Sequence, residues 1–256
     1  MDSRICSRAL PALAVLSLLT AAGCLPFLRP ARVPMATFEL PAGQPTDCLA
    51  ILLPGRLDRP RALLRAGFAD RIRERGLALD LLVVDAHLGY YRNRSVVERL
   101  HQDIVAPALA DGYREIWLVG ASLGGLGTLL YARDHAEDLR GVLALAPFLG
   151  DDEVLAEIRA QGGPRQWQAP GEDDFRKLWR WLRGYAMDSP AAPIHLAYGT
   201  EDSHAPAGEL LTELLPADQV YTAPGGHDWR TWGELWGRFL DRAAVCGERL
   251  GPSSAE

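Results

Sequence analysis

No run of basic residues interleaved with aromatics occurs in this sequence, and its formal net charge is −6. Both features weigh against a phosphate backbone as partner, so no nucleic acid is expected. No G-x-G-x-x-G follows the first apolar run of the domain, which argues against a dinucleotide site. Cysteine is scarce, at four residues. Neither a CxxC pair nor a His-rich spacing is present, so the sequence points to no metal and no cofactor. There is no internal repeat and no low-complexity tract. The apolar stretch Ala9–Ala22 is too short to cross ~30 Å of hydrocarbon comfortably.

What is present suits a single globular domain. The chain has 256 residues, 48% of them hydrophobic, enough to bury a large core. Arg4 and Arg8 precede Ala9–Ala22, and Gly23-Cys24 follows. A basic start, a short apolar core and small residues before a break describe an export signal over residues 1–23. Ala21-Ala22-Gly23-Cys24 also resembles a bacterial lipoprotein signal, with Ala21 where that family usually has Leu. The resemblance implies acylation of Cys24 and a tether to a membrane surface on the periplasmic side of the envelope. The alternative is an ordinary cleaved signal and a secreted or periplasmic protein. Residues 24–45 read as a linker carrying an edge strand near Thr37–Leu40, 46–247 as the domain and 248–256 as a flexible tail. Cys48 and Cys246 remain for the domain. In an oxidising compartment they could pair, or stand as two separate buried thiols.

Short apolar runs then alternate with amphipathic stretches. The runs are Cys48–Leu53, Leu79–Val84, Ile116–Val119, Val142–Ala146, Ile194–Tyr198 and Gln219–Thr222. Near-continuous apolarity over four to six residues suits parallel strands buried on both faces. Helical patterns between them cover Leu63–Arg75, Val96–Ala110, Leu126–His135, Asp173–Arg183, Gly208–Leu214 and Thr231–Ala244. The alternation predicts an α/β fold, a mostly parallel sheet of about six to seven strands with helices on both faces. Residues 150–189 break the rhythm. They form either a cap insertion over a site or a crossover helix with a long loop.

Gly120-Ala121-Ser122-Leu123-Gly124 is a G-x-S-x-G motif lying between a strand, Glu115–Val119, and a helix opening near Leu126. A sharp strand-to-helix turn would project the Ser122 hydroxyl above the sheet. With this motif the chain resembles the α/β-hydrolase family over most of residues 46–245. The resemblance implies a serine nucleophile at the elbow, an acid after a later strand and a histidine after the last. Asp202, in Gly199-Thr200-Glu201-Asp202 after Ile194–Tyr198, matches the acid. Glu201, Asp151 and Asp152 stay open as alternatives. His227, in Gly225-Gly226-His227-Asp228-Trp229, matches the base, and the GGHDWRTW run resembles a subset of esterases. The amide of Leu123 is one candidate oxyanion donor. The loop Leu53-Pro54-Gly55-Arg56-Leu57 supplies the other, from Arg56 or Leu57, although many relatives have His-Gly where this chain has Pro54-Gly55.

Trp229, Trp232 and Trp236 have the spacing of one helix face packed on a core. His204 could line the pocket and His87 could reach the same side. His195 reads as a strand residue with a satisfied partner, and His101 and His135 as solvated helix residues. The expected reaction is hydrolysis of a small-molecule carboxylic ester or thioester through an acyl-enzyme. Serine peptidase or amidase chemistry, or a catalytically silent envelope binding protein, are the alternatives.

Overall fold

The computed structural model describes residues 31–60, 63, 66–168, 171–187 and 192–246. The signal segment 1–23, Cys24 and the tail 248–256 lie outside the described residues. Seven strands form one sheet: β1 (Thr37–Leu40), β2 (Cys48–Leu53), β3 (Asp80–Val84), β4 (Glu115–Ala121), β5 (Gly141–Leu145), β6 (Ile194–Gly199) and β7 (Val220–Ala223). Their order is β1-β3-β2-β4-β5-β6-β7. Only β1 runs antiparallel, pairing with β3; every other neighbour is parallel. The sheet therefore begins inside the stretch read as a linker. Every residue of β2, β5 and β6 is buried, as expected for strands covered by helices on both faces.

Nine helices separate the strands among the described residues: α1 (Phe68–Glu74), α2 (Leu88–Arg92), α3 (Val96–Leu100), α4 (Ala106–Ala110), α5 (Leu123–Asp134), α6 (Asp152–Ala160), α7 (Asp174–Tyr185), α8 (Ala205–Thr212) and α9 (Trp229–Arg242). Several bounds differ from the sequence pattern for identifiable reasons. The stretch 96–110 is interrupted by a π turn over His101–Val105, which divides α3 from α4. α8 starts at Ala205 because Pro206 sits in its first turn, where a missing N–H costs nothing. β7 begins at Val220, since Gln219 closes the 3₁₀ turn Ala217–Gln219. α2 was not anticipated; the His87 side chain caps it by accepting from Gly89 N at 3.1 Å, so His87 is a buried cap.

α9 presents Trp232, Trp236, Phe239 and Leu240 to the core, all nearly inaccessible. Trp236 stacks on Phe68 of α1 at 5.7 Å and Phe239 meets Trp117 of β4 edge-on at 5.3 Å. His195 in β6 lies within 3.3 Å of the Tyr221 hydroxyl, the satisfied strand histidine expected. Beyond α9, Cys246 is disulfide-bonded to Cys48 at the start of β2, with Cα atoms 5.5 Å apart. Residues 150–187 form two helices packed on the end of β5. Trp179 of α7 donates to Leu149 O at 2.8 Å, and Arg159 and Arg165 reach the carbonyls of Pro206 and Glu213 at 2.8 Å each.

Candidate active site

The elbow between β4 and α5 is built by exclusion of side chains. A Cβ at Gly120 would overlap the Gly124 carbonyl, and one at Gly124 would overlap the Leu53 carbonyl of β2. Only glycine allows β2, β4 and α5 to converge this closely. Between them Ser122 takes φ 53° and ψ −113°, a conformation that costs an L residue about 1–3 kcal/mol. The strain is held by backbone hydrogen bonds. Ser122 N donates to Leu145 O at 2.8 Å, and Ser122 O accepts from Phe148 N at 3.0 Å and Leu126 N at 3.2 Å. α5 begins at Leu123, three residues earlier than the pattern suggested, because the turn is completed in one residue. As a first-turn amide, Leu123 N has no carbonyl to meet within its helix.

The β2 loop lies against this elbow. A Cβ at Gly55 would sit 3.6 Å from Ser122 Cβ. Asp58 N donates to Gly55 O at 3.2 Å, which makes Arg56 and Leu57 the two central residues of a turn, both exposed. Asp58 Oδ1 accepts from Trp229 Nε1 at 3.1 Å and ties this turn to the start of α9.

The acid and histidine loops are joined as an extension of the sheet. Beyond β6 and β7, Thr200 N donates to Ala223 O and Glu201 N to Gly225 O, at 2.9 and 3.0 Å. That ladder brings Asp202 under His227. Nδ1 of His227 lies 2.8 and 2.9 Å from the two Asp202 carboxylate oxygens. The Asp202 side chain is fully buried, whereas that of His227 is 26% exposed. Glu201, Asp151 and Asp152 are exposed, and Asp151 caps α6 through Val154 N at 3.2 Å. Of the four carboxylates, Asp202 is the one that meets His227. Asp228, the next residue, caps α9 through Thr231 N at 3.0 Å, and those amide contacts hold its carboxyl below the usual range.

His204 completes the wall. Its N–H donates to Asp202 Oδ1 at 2.7 Å, and its ring stacks on His227 at 4.3 Å and 16°. Burial, the neighbouring His227 and the Arg56 charge outweigh Asp202 and push its pKa down. Phe148 meets the His204 ring at 5.9 Å and Phe175 of α7 at 5.2 Å, both edge-on. Trp232 stands edge-on to His227 at 4.8 Å. A continuous path of contacts thus runs from the Ser122 backbone through Phe148 and His204 to His227. Phe175 and Asp58 carry no sequence signal of a place in this site; Phe148 has only its position, three residues after β5, toward the carboxyl ends of the strands.

Three solved structures share this arrangement of sheet and helices. A ferulic acid esterase matches with 14% identity over 80% of this chain and 96% of its own, at a TM-score of 0.53. S-formylglutathione hydrolase from Staphylococcus aureus matches with 14% identity over 83% and 97%, again at 0.53. An α/β hydrolase from a lagoon-sediment metagenome matches with 19% identity over 81% and 93%, at 0.51. This chain has the α/β-hydrolase fold. No family model matches it and no curated protein does, so the likeness is one of architecture. On this α/β-hydrolase frame, two groups of side chains offer ligand atoms within 4.8 Å of one another: Asp202, His204 and His227, and, away from the elbow, His101, His135 and Asp138.

Proposed function

We propose that the protein is a serine hydrolase that cleaves a carboxylic ester or thioester, with Ser122 as nucleophile, His227 as general base and Asp202 as the orienting acid. The observation that carries this reading is the buried Asp202 carboxylate on His227 Nδ1. With Nδ1 engaged by Asp202, Nε2 is the nitrogen left to take a proton, and Ser122 is held in a strained conformation at the elbow. His227 takes the Ser122 proton as Oγ attacks the substrate carbonyl carbon. The amide of Leu123 and that of Arg56 or Leu57 hold the oxyanion, each worth roughly 3–4 kcal/mol in a comparable site. Collapse expels the alcohol or thiol, which leaves with the proton from His227. Water then repeats the attack on the acyl-enzyme and frees the acid. Asp202 fixes the imidazole tautomer and stabilises the cation that forms on His227.

Phe148, Phe175 and His204 line one side of this space with aromatic edges, suited to an apolar acyl or aryl group. α7 supplies Phe175 to that wall. The chemistry needs neither metal nor cofactor. On the same reading the chain is exported through residues 1–23 and held at the envelope surface by an acylated Cys24. Palmitate incorporation that disappears in Cys24→Ser is expected, and an unlabelled soluble product leaves simple secretion.

The deciding experiment is labelling with a fluorophosphonate probe together with hydrolysis of p-nitrophenyl esters of graded chain length. Labelling and turnover should both vanish in Ser122→Ala. A folded wild-type preparation that neither labels nor turns over any ester or thioester would leave a silent binding domain.

A further inference from the structure

The π turn at His101 and the end of α5 bring together three side chains remote from the elbow. His101 and His135 stack face to face at 4.3 Å and 9°. His101 Nδ1 lies 3.2 Å and His135 Nδ1 4.0 Å from the same atom, Asp138 Oδ2. The three side chains are partly buried, at 35%, 29% and 15% exposure. Tyr131 stands behind them, donating to Asp138 Oδ2 at 2.8 Å and lying 3.0 Å from His101 Nδ1.

We infer that His101, His135 and Asp138 form a binding site for a divalent transition-metal ion of the zinc type, distinct from the Ser122 site. Nitrogen and oxygen ligands at about 2.0–2.1 Å from a tetrahedral ion lie roughly 3.3 Å from each other. The His101–Asp138 spacing of 3.2 Å meets that value, and His135, 4.0 Å from Asp138, must turn out of its stack on His101 so that the ion lies in the plane of both rings. Two imidazoles and one carboxylate select zinc, nickel or copper over magnesium or calcium, which take oxygen ligands. Both side chains are partly exposed, so an ion can enter and keep a water as fourth ligand. Tyr131 then orients the carboxylate from the second shell of contacts.

The backbone around the cluster is irregular in the manner of a purpose-built position. His101 opens the π turn, a feature that often accompanies functional sites. His135 ends α5 at φ −146° and ψ 47°, and a 3₁₀ turn carries Asp138 back toward both rings. The ion would clip the far end of the elbow helix to the helix that follows β3. This joins two segments separated by a full strand–helix unit in sequence, which is why no compact ligand motif is visible there.

The test uses the untagged, chelator-treated full chain titrated with zinc chloride by calorimetry, with hydrolysis of p-nitrophenyl acetate followed in parallel. One zinc per chain is expected, with a raised melting temperature and unchanged hydrolysis. His135→Ala, His101→Ala and the near-isosteric Asp138→Asn should each weaken binding by about tenfold or more, while their metal-free turnover stays at the wild-type level. Circular dichroism establishes that each variant is folded, and Asp138→Asn carries the test if an alanine variant is not. Wild-type zinc affinity in all three variants, or zinc that binds only with loss of hydrolysis, overturns the proposal, because the ion would then sit on Asp202, His204 and His227. So would the absence of binding at micromolar zinc.

Discussion

Two parts of the molecule carry nearly the same local object. At the elbow, His204 and His227 stack at 4.3 Å with Asp202 on the His227 Nδ1; on the far end of α5, His101 and His135 stack at 4.3 Å with Asp138 on the His101 Nδ1. What separates them is the setting. Asp202 is fully buried and bonds to His204 N and His227, while Asp138 is partly exposed and shares its oxygen with a phenol. The first pair is linked through Phe148 to the backbone of Ser122, which is held at positive φ; the second meets no hydroxyl other than that of Tyr131 among the described contacts. A His–carboxylate pair is therefore common currency in this fold. On the proposed reading, Ser122 and the backbone amides near it make one of the two a candidate for acyl transfer.

The sharpest way to break that comparison is to neutralise each carboxylate in turn. If Asp202 is the orienting acid, Asp202→Asn should lower kcat by about 10⁴-fold with the fold intact, by analogy with the triad acid of serine proteases. Asp138→Asn should leave kcat within about twofold. Comparable losses in both, measured with one p-nitrophenyl ester, would mean that the two clusters share the chemistry. A next-largest effect concerns stability. Replacing Gly124 by Ala forces a Cβ into the Leu53 carbonyl, and overpacking of this kind costs about 1–3 kcal/mol or more. The same change at Gly184, which has open space around it, should be neutral or slightly stabilising, as read from urea midpoints.

A third histidine sharpens the contrast in another way. Burial against Trp117, Tyr221 and Phe239 pushes His195 down to about 4. Its folded pKa lies below that of the unfolded chain, so the unfolded state takes up the proton first. The stabilising effect is complete above about pH 6.5 and is lost as pH falls toward 4, up to roughly 3 kcal/mol in total. His195→Gln should flatten the fall in urea midpoint between pH 6.5 and 4; an unchanged slope would place the acid sensitivity elsewhere. The smallest effect expected is from Asp58→Ala, which removes the bond to Trp229 Nε1. A loss of about 1 kcal/mol of positioning would lower kcat/KM by roughly five- to tenfold.

The central strands β2, β5 and β6 were legible because each is a short apolar run, and burial on both faces removes polar alternation. The elbow was legible because small residues around Ser122 have a single steric use. Asp202 could be separated from Glu201 only by the extra pair of ladder bonds that Thr200 and Glu201 make to Ala223 and Gly225. Those bonds depend on how far β6 and β7 run on together, which the residue types do not encode. His101 and His135 were read as solvated because each looks ordinary within its own helix. Their meeting depends on the π turn, and nothing in His101–Val105 announces a π turn locally. Pro206 was visible, yet its place in the first turn of α8 moved the helix start by three residues.

The bridge between Cys48 and Cys246, 198 residues apart, lies at the amino end of β2, a strand's length of about 20 Å from the elbow. The bridge closes residues 48–246 into a covalent ring that holds six of the seven strands and leaves β1 outside it. A single cut at a surface loop inside that ring would leave both pieces joined for as long as the bridge stands.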